Sequence, residues 1–259
     1  MPEIADAVVL MAGTGSRLRA SGEILPKPLV PIFGRPLICY IVEALQKVGV
    51  SNLHAVVGAN GDALVRALQP LVPSSMRLHP ISNPDWPKQN GVSVLCAAGK
   101  VKAPFLLTMG DHLFDSAVLK RVVEEANANE LNLAIDRKIE AIFDLDDAMK
   151  VQTTGDRVTA IAKNLATYDA IDTGVFLCPN ELFDYLERAR KNGDCSLADG
   201  VRLMAAEGKV RAIDIGAAWW QDVDTFEMRI RAEEELSQRS NLEGNAPSLP
   251  RVGSHVRSA

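Results

Sequence analysis

A glycine-containing turn directly after a buried strand constrains this chain more than any other feature. The apolar run at residues 7–10 predicts a parallel strand that is buried on both faces. Gly13 and Gly15 follow it, and glycine lets a backbone turn sharply and approach a ligand closely. Because the N–H groups of such a turn form a nest for anions, we expect a phosphate-binding turn. Its predicted nucleotide-binding residues are Ala12, Gly13, Thr14, Gly15 and Ser16.

Two positive charges follow the turn and are the predicted catalytic residues. Arg17 offers a planar fork of donors, and Lys27, within Leu-Pro-Lys-Pro-Leu, offers a compact point charge. Together with the turn they indicate a clamp for a triphosphate. The spacing excludes a P-loop, which needs four residues between its glycines followed by Lys-Ser/Thr. It also excludes the dinucleotide-binding turn, because Leu18 stands where that turn needs a small residue.

The hydrophobic periodicity predicts strands that alternate with helices. Strands are expected at residues 53–57, 77–81 and 105–109, and helices at 35–48, 61–68, 92–99 and 116–126, the last with Ser116 as its N-cap. Short strands around Leu133, Ile142, Val151 and Val158 then indicate a β-rich insertion that covers the site. Further strands (171–177, 210–215) and helices (181–191, 225–238) follow. The predicted fold is α/β: a Rossmann-like, mostly parallel mixed sheet flanked by helices.

Composition limits the class of protein. Residues 1–238 predict one domain, whereas the polar stretch 239–259 predicts a disordered tail or a shortened linker. The net charge of −5 argues against a nucleic-acid-binding protein. No apolar run approaches the roughly 20 residues that span a bilayer. The first strand starts too early for a signal peptide, and four scattered cysteines indicate reduced thiols, so a cytoplasmic protein is expected.

Acidic residues follow two of the predicted strands. Asp111 comes directly after the strand at 105–109, where open α/β sheets bind their ligands, and is a candidate metal ligand. Asp222 and Asp224 lie in Trp-Trp-Gln-Asp-Val-Asp-Thr, just before the last predicted helix. Asp224 is expected to be the N-cap of that helix, which leaves Asp222 as the better ligand candidate.

The motifs together resemble a known enzyme family. Residues 10–18, 25–31 and 34–37 resemble the sugar-phosphate nucleotidyltransferases, which move a nucleotidyl group from an NTP to a phosphate monoester. Residues 83–93, 109–114, 133–151 and 171–176 are most similar to the CTP:inositol-1-phosphate cytidylyltransferases, and the resemblance extends over residues 4–230. It implies CTP and inositol-1-phosphate as substrates and Mg²⁺ held by Asp111 and Asp222. It also implies a functional link to a membrane-embedded CDP-alcohol phosphotransferase.

The resemblance assigns the remaining site residues. Asn90, Gly91 and Ser93 are expected near the nucleobase and ribose, and Lys163 near the phosphate of the acceptor. The expected hydrogen-bonding groups for a polyol acceptor are Asp136, Lys150, Asp172 and Thr173. Phosphocholine stays open as an acceptor, although few aromatic residues are expected near the acceptor motifs to form a cage. A hexose-1-phosphate acceptor also stays open, as does the function of a catalytically silent nucleotide sensor.

Overall fold

The computed structural model describes residues 4–13, 15, 25–59 and 61–242, with side chains to residue 239. The strands are β1 (Asp6–Met11), β2 (Pro31–Ile32), β3 (Arg35–Pro36), β4 (Asn52–Val57), β5 (Arg77–Ser82), β6 (Phe105–Met109), β7 (His112–Phe114), β8 (Leu131–Asp136), β9 (Lys150–Thr154), β10 (Arg157–Ala162), β11 (Ala170–Cys178), β12 (Val210–Asp214) and β13 (Trp220–Asp222). The helices are α1 (Leu37–Lys47), α2 (Gly61–Leu68), α3 (Asn90–Leu95), α4 (Ser116–Glu125), α5 (Glu181–Ala189), α6 (Leu197–Ala206) and α7 (Phe226–Leu242).

Nine strands form one mixed sheet in the order β5-β4-β1-β6-β11-β8-β12-β10-β9. The first four are parallel, β11 runs antiparallel to β6 and β8, and β12 is parallel to β8. Apolar side chains cover both faces. One face packs on α1, α4 and α7, and the other on α3, α5 and α6. The α/β prediction is confirmed, and the carboxyl ends of β1 and β6 lie side by side.

The insertion between β8 and β11 has fewer strands than predicted. No strand forms around Ile142, which follows a short 3-10 helix (Ile139–Ala141) and precedes a series of turns that ends at Lys150. Asp144, Asp146 and Asp147 favour turns over a ladder in this stretch. The predicted strands around Leu133, Val151 and Val158 are confirmed as β8, β9 and β10.

Several helix boundaries differ from the predictions, most clearly those of α3, α4 and α7. Helix α3 begins at Asn90 and ends at Leu95, so it starts earlier and is shorter than expected. The N-cap of α4 is Asp115 rather than Ser116, and its carboxylate accepts from the Trp219 N–H (2.8 Å) instead of capping the helix. Helix α7 continues to Leu242, beyond the predicted domain boundary at residue 238.

Three further observations complete the description of the fold. Helix α6 was not predicted, although Ser196 and Asp199 form a capping box at its start. Cys39, Cys178 and Cys195 are buried free thiols, and Cys96 is partly buried. Within the described ranges, every helix is too short or too polar to cross a bilayer.

Candidate active site

The glycine turn lies at the carboxyl end of β1 and packs on Lys27. Gly15 has φ +64°, and a Cβ there would stand 3.1 Å from Lys27 Cγ. A side chain at this position would therefore strain the backbone and push Lys27 away. Gly13 is open to its surroundings. Thr14, Ser16 and Arg17 lie outside the described residues, so their predicted roles stay predictions.

Gly110 brings the end of β6 against this turn. Its N–H donates to Leu10 O (2.9 Å), and a Cβ would meet Met11 Cγ at 2.8 Å and Pro28 Cγ at 3.3 Å. Pro28 belongs to a 3-10 helix, Lys27–Leu29, that follows Pro26. The absence of a side chain at Gly110 thus allows the lysine-bearing segment and Asp111 to meet.

Lys27 lies between two carboxylates. Its Nζ donates to Asp111 Oδ2 (2.9 Å) and to Asp224 Oδ1, and the Asp224 residue is buried. The expectation that Asp224 caps the last helix is wrong. The Met228 N–H donates to Thr225 Oγ1 (3.2 Å), so Thr225 supplies the cap and Asp224 faces the lysine.

His112 and Asp222 continue the site on the two-stranded antiparallel sheet of β7 and β13. Asp222 pairs with His112 across the ladder, and the Val223 N–H donates to Asp111 O (2.9 Å). His112 Nδ1 lies 2.8 Å from Asp111 Oδ1. Burial lowers the pKa of His112, but the hydrogen bond to Asp111 and the nearby carboxylates outweigh it, so the net shift is upward.

A cavity of about 540 Å³ opens beside these carboxylates. Four predicted site residues line it: Asn90, Asp136, Asp172 and Asp222. The volume and the mixture of apolar and polar lining are typical of a small-molecule site. Helix α7 and the turns of residues 143–149 form part of its wall.

Aromatic side chains are more abundant here than expected. Phe143, Trp219 and Trp220 line the cavity together with Asp136 and Asp172, so the expectation of few aromatic residues near the predicted acceptor ligands is wrong. Their rings already have partners within the chain. Arg231 lies over Phe143 (5.0 Å), Arg239 over Trp219 (5.8 Å), and His112 stacks on Trp220 (5.8 Å). These rings therefore do not form an open cage for a quaternary ammonium.

Residues 7–199 match the family described as the MobA-like NTP transferase domain. The chain belongs to this family. It is therefore a nucleotidyltransferase, and transferases of this type are generally metal-dependent. Among the described residues, no three His, Cys, Asp or Glu side chains converge closely enough to hold a metal ion. Asp111 and Asp224 nevertheless already share one cation, the ammonium of Lys27.

Relatives of this NTP transferase have related names. The "Bifunctional IPC transferase and DIPP synthase" of Aquifex aeolicus (strain VF5) is 31% identical over 231 residues, which cover 89% of this chain and 51% of that protein. The protein of the same name from Thermococcus kodakarensis (strain ATCC BAA-918 / JCM 12380 / KOD1) is 33% identical over 237 residues, with 89% and 50% coverage. The chain thus spans about half the length of the curated relatives it matches.

A solved structure shares the fold over nearly its whole length. It is described as the inositol-1-phosphate CTP transferase from T. maritima and superimposes with a TM-score of 0.82 at 26% identity. The match covers 92% of this chain and 97% of that one.

The predicted base-site residues of this NTP transferase have packing roles. Asn90 Oδ1 accepts from the Leu197 N–H (2.8 Å) at the start of α6. A Cβ at Gly91 would stand 2.7 Å from Cys195 O, so glycine is needed for α3 to pack there. Ser93 is buried, and its hydroxyl accepts from Asn83 Nδ2 (2.9 Å). Of the three, Asn90 is the residue that lines the cavity.

Two of the predicted acceptor ligands are occupied within the protein. Asp136 is buried and accepts from Lys138 Nζ (2.8 Å) and from Trp220 Nε1 (3.1 Å), so it holds the cavity wall together. Thr173 is fully buried, and its hydroxyl donates to Ala134 O (2.9 Å). In this structure Thr173 is a sheet-interior residue, which corrects its prediction as an acceptor ligand.

Asp172 remains available at the cavity. Burial raises its pKa to about 6, against the opposing effects of the Gly174 N–H and His112. Gly174, at φ +72°, has no side chain where a Cβ would stand 2.7 Å from the His112 ring. The glycine therefore lets β11 carry Asp172 close to His112.

The two predicted acceptor lysines differ in their surroundings. Lys163 is exposed and forms an ion pair with Asp147. Because Asp147 lines the cavity, Lys163 lies behind the cavity wall and contacts it through Asp147. Lys150 is buried, and its ammonium donates to backbone carbonyls of the wall. Its prediction as a direct acceptor ligand is corrected by this geometry.

Sequence reasoning missed the basic residues of α7. Arg231 and Arg239 line the cavity together with Glu235, and their spacing of four places them on one helical face. The spacing of four is visible in the sequence, but it is also typical of a solvent-exposed helix, so it does not by itself indicate a site. Within the described chain Arg231 forms no ion pair, although it donates to Ala141 O (3.3 Å).

Proposed function

We propose that this chain transfers the cytidylyl group of CTP to inositol-1-phosphate and releases pyrophosphate and CDP-inositol. The observation that carries the proposal is the similarity to the T. maritima inositol-1-phosphate CTP transferase, which covers 97% of that chain. The names of the relatives from Aquifex and Thermococcus agree with it.

The reaction brings two anions together, and the chain supplies the compensating charges. A phosphate oxygen of the acceptor attacks the α-phosphorus in line, and pyrophosphate leaves. Lys27, Arg17 and the N–H groups of the glycine turn are proposed to stabilise the leaving group. A phosphate monoester is already nucleophilic near neutral pH, so no general base is required of His112, which orients Asp111 instead.

We propose that Asp111 and Asp222 hold Mg²⁺ and that Asp224 shares this site. Carboxylate oxygens are the ligands that Mg²⁺ prefers, and Asp111 and Asp224 already converge on one ammonium. When bound, the ion neutralises the charge between nucleotide and acceptor. Lys27 and His112, which contact different oxygens of Asp111, fix the orientation of its carboxylate.

The acceptor is proposed to occupy the cavity. Asp172 presents a polar group for hydroxyls, which a polyol needs and a quaternary ammonium does not. Lys163 behind Asp147 and Arg231 on α7 are the proposed positive charges for the acceptor phosphate. Asn90 is proposed to contact the nucleobase, and Gly91 and Ser93 are proposed to position it through the packing of α3.

The surroundings of the reaction are also proposals. Because the curated relatives are described as bifunctional and are about twice as long, we propose a cytoplasmic enzyme that works together with a membrane CDP-alcohol phosphotransferase. The phosphotransferase would consume the CDP-inositol.

A turnover screen tests the proposal. The full chain is incubated with each of the four NTPs against inositol-1-phosphate, phosphocholine and glucose-1-phosphate, and pyrophosphate release is measured with and without Mg²⁺. The expected result is Mg²⁺-dependent release with CTP and inositol-1-phosphate well above every other pair. A preference for phosphocholine or for a hexose-1-phosphate would replace the proposed acceptor, and no release with any pair would favour a silent nucleotide sensor.

A further inference from the structure

The loop of residues 143–149 forms a wall of the cavity without regular secondary structure. Its cavity-lining residues are Phe143, Asp144, Asp147, Ala148 and Met149. The Ala148 N–H donates to Asp144 O (3.1 Å) within the loop, and Met149 O accepts from the Asp172 N–H (2.9 Å) at its end. These bonds fix the end of the loop but leave the carbonyls in its middle to be satisfied by another group.

Lys150, the first residue of β9, satisfies those carbonyls. It is only 9% exposed, and its Nζ lies 2.8 Å from Leu145 O, 3.3 Å from Asp146 O and 3.3 Å from Ala148 O. An ammonium has three N–H donors and no acceptor, so these carbonyls use its full donor capacity. No donor remains for a phosphate of the acceptor.

We propose that Lys150 is a positioning residue. Its ammonium acts as a tethered cation at the centre of the loop of residues 143–149. A buried ammonium needs hydrogen-bond acceptors, and converging carbonyl dipoles need a positive charge between them. Each therefore stabilises the other, and the loop is held in one shape before any ligand arrives. That the wall binds the acceptor rests on the proposed function; the tethering itself does not.

The mechanism predicts which binding step depends on Lys150. The described hydrogen bonds of its ammonium go to the loop, and none joins the glycine turn or α3. Loss of the ammonium should therefore impair acceptor binding and leave nucleotide binding intact. A misplaced wall is costly because orientation contributes strongly to rate.

Amide hydrogen exchange of the ligand-free full chain tests the tethering. Lys150→Met removes the ammonium and keeps most of the side-chain volume, while Lys150→Ala leaves space for added propylammonium. The expected result is exchange about tenfold faster or more in peptides covering 143–149, with no change in those covering α3. Propylammonium should restore the protection of Lys150→Ala in the absence of substrate. Loss of a residue that only contacts the acceptor would not change exchange in the ligand-free chain.

Kinetics of the same variants test the consequence. Lys150→Met should raise the KM for the acceptor by about tenfold or more and leave the KM for CTP unchanged. Lys100→Met is the matched control, because Lys100 Nζ also donates to a backbone carbonyl, Cys96 O (2.9 Å), but away from the cavity. The control should behave as the unmodified chain.

The following outcomes would overturn the proposal. Unchanged exchange at 143–149 in folded variants would show that the loop needs no tether. Equal increases in the KM for CTP and the KM for the acceptor would show that Lys150 supports the whole domain. Failure of both variants to fold even with propylammonium would show the same. Because exchange is measured without substrate, a chain that does not use CTP and inositol-1-phosphate would contradict the proposed function while leaving the tethering result valid.

Discussion

Lys27 Nζ lies 2.9 Å from Asp111 Oδ2, although the two residues are 84 positions apart. The contact depends on the parallel pairing of β1 with β6, which sets Met109 beside Leu10 and so brings Asp111 to the glycine turn. Asp224 reaches the same ammonium from the loop before α7. One cation thus connects three distant segments at the place where a triphosphate is proposed to bind.

Replacement of Lys27 should abolish most catalysis. We expect Lys27→Met to lower kcat on the order of 10²–10³-fold, because a preorganised charge at the leaving group is lost. Pyrophosphate release under saturating substrates measures the effect, and thermal unfolding shows whether the variant is folded. Lys47→Met, at the end of α1, is the control. A folded Lys27→Met enzyme with ordinary turnover would remove Lys27 from the mechanism.

The three aspartates should behave as one metal site. Asp111→Asn, Asp222→Asn and Asp224→Asn are each expected to lose Mg²⁺-dependent turnover, and double variants should be no worse than the poorer single one, because ligands of one ion act as a unit. The measurement is turnover as a function of Mg²⁺ concentration. If Asp224→Asn keeps its Mg²⁺ dependence, Asp224 serves Lys27 only. If Asp222→Asn does, Asp111 and Asp224 hold the ion.

Gly110 should be irreplaceable for a steric reason. Gly110→Ala places a Cβ 2.8 Å from Met11 Cγ and 3.0 Å from Leu10 O, so we expect a loss of about 1–3 kcal/mol in unfolding free energy and reduced turnover. The control is Gly99→Ala, where φ is +70° and no atom lies within 4 Å. Its strain should cost about 1–2 kcal/mol without affecting turnover. Equal turnover in the two variants would contradict the packing argument.

His54 should make the fold sensitive to acid. It is 5% exposed, its Nε2 lies 3.5 Å from Asp6 Oδ2, and its Nδ1 has no hydrogen-bond partner among the described residues. Burial lowers its pKa below the ordinary 6.5, with Asp6 opposing and His79 adding to the shift. The unfolded chain therefore takes up a proton at a pH where the folded chain does not, and stability falls as the pH drops from 6.5 through the folded pKa.

His54→Phe cannot be protonated and should lose less stability on acidification. Urea unfolding of both proteins at about pH 7.5 and about pH 5.5 gives the comparison, since other titrating groups are shared. The same loss in both proteins would show that His54 does not contribute to acid sensitivity.

The end of α7 should contribute to stability beyond the predicted boundary. Arg239 Nη1 lies 3.0 Å from Asp115 Oδ2, and the guanidinium covers Trp219. Truncation after Gln238 should therefore lower the unfolding free energy by roughly 1 kcal/mol, whereas truncation after Leu242 should not. Arg239→Met in the full chain separates the loss of this contact from the loss of helix length. If truncation after Leu242 lowers the unfolding free energy as much as truncation after Gln238, the polar tail of residues 243–259 packs on the domain.

Local sequence determined the parts of this protein that depend on local chemistry. An apolar run followed by Gly13 and Gly15 specifies a buried strand and a tight turn wherever it occurs. The alternation of periodicities likewise predicted the nine strands of the main sheet and every helix except α6, and the strand end at Met109 predicted the location of Asp111. These features depend on neighbours within a few positions, so the chain itself contains the evidence.

Tertiary structure alone decided which partner each polar side chain has. Lys27 and Lys150 look alike in sequence, yet one ammonium lies between carboxylates and the other among loop carbonyls. Asp224 and Thr225 are adjacent, and only the path of the chain into α7 makes Thr225 the cap. Such assignments depend on strand register and on loops from distant segments. They follow from the packing of the whole sheet, because a charge buried within it must be matched by whatever group the fold places opposite.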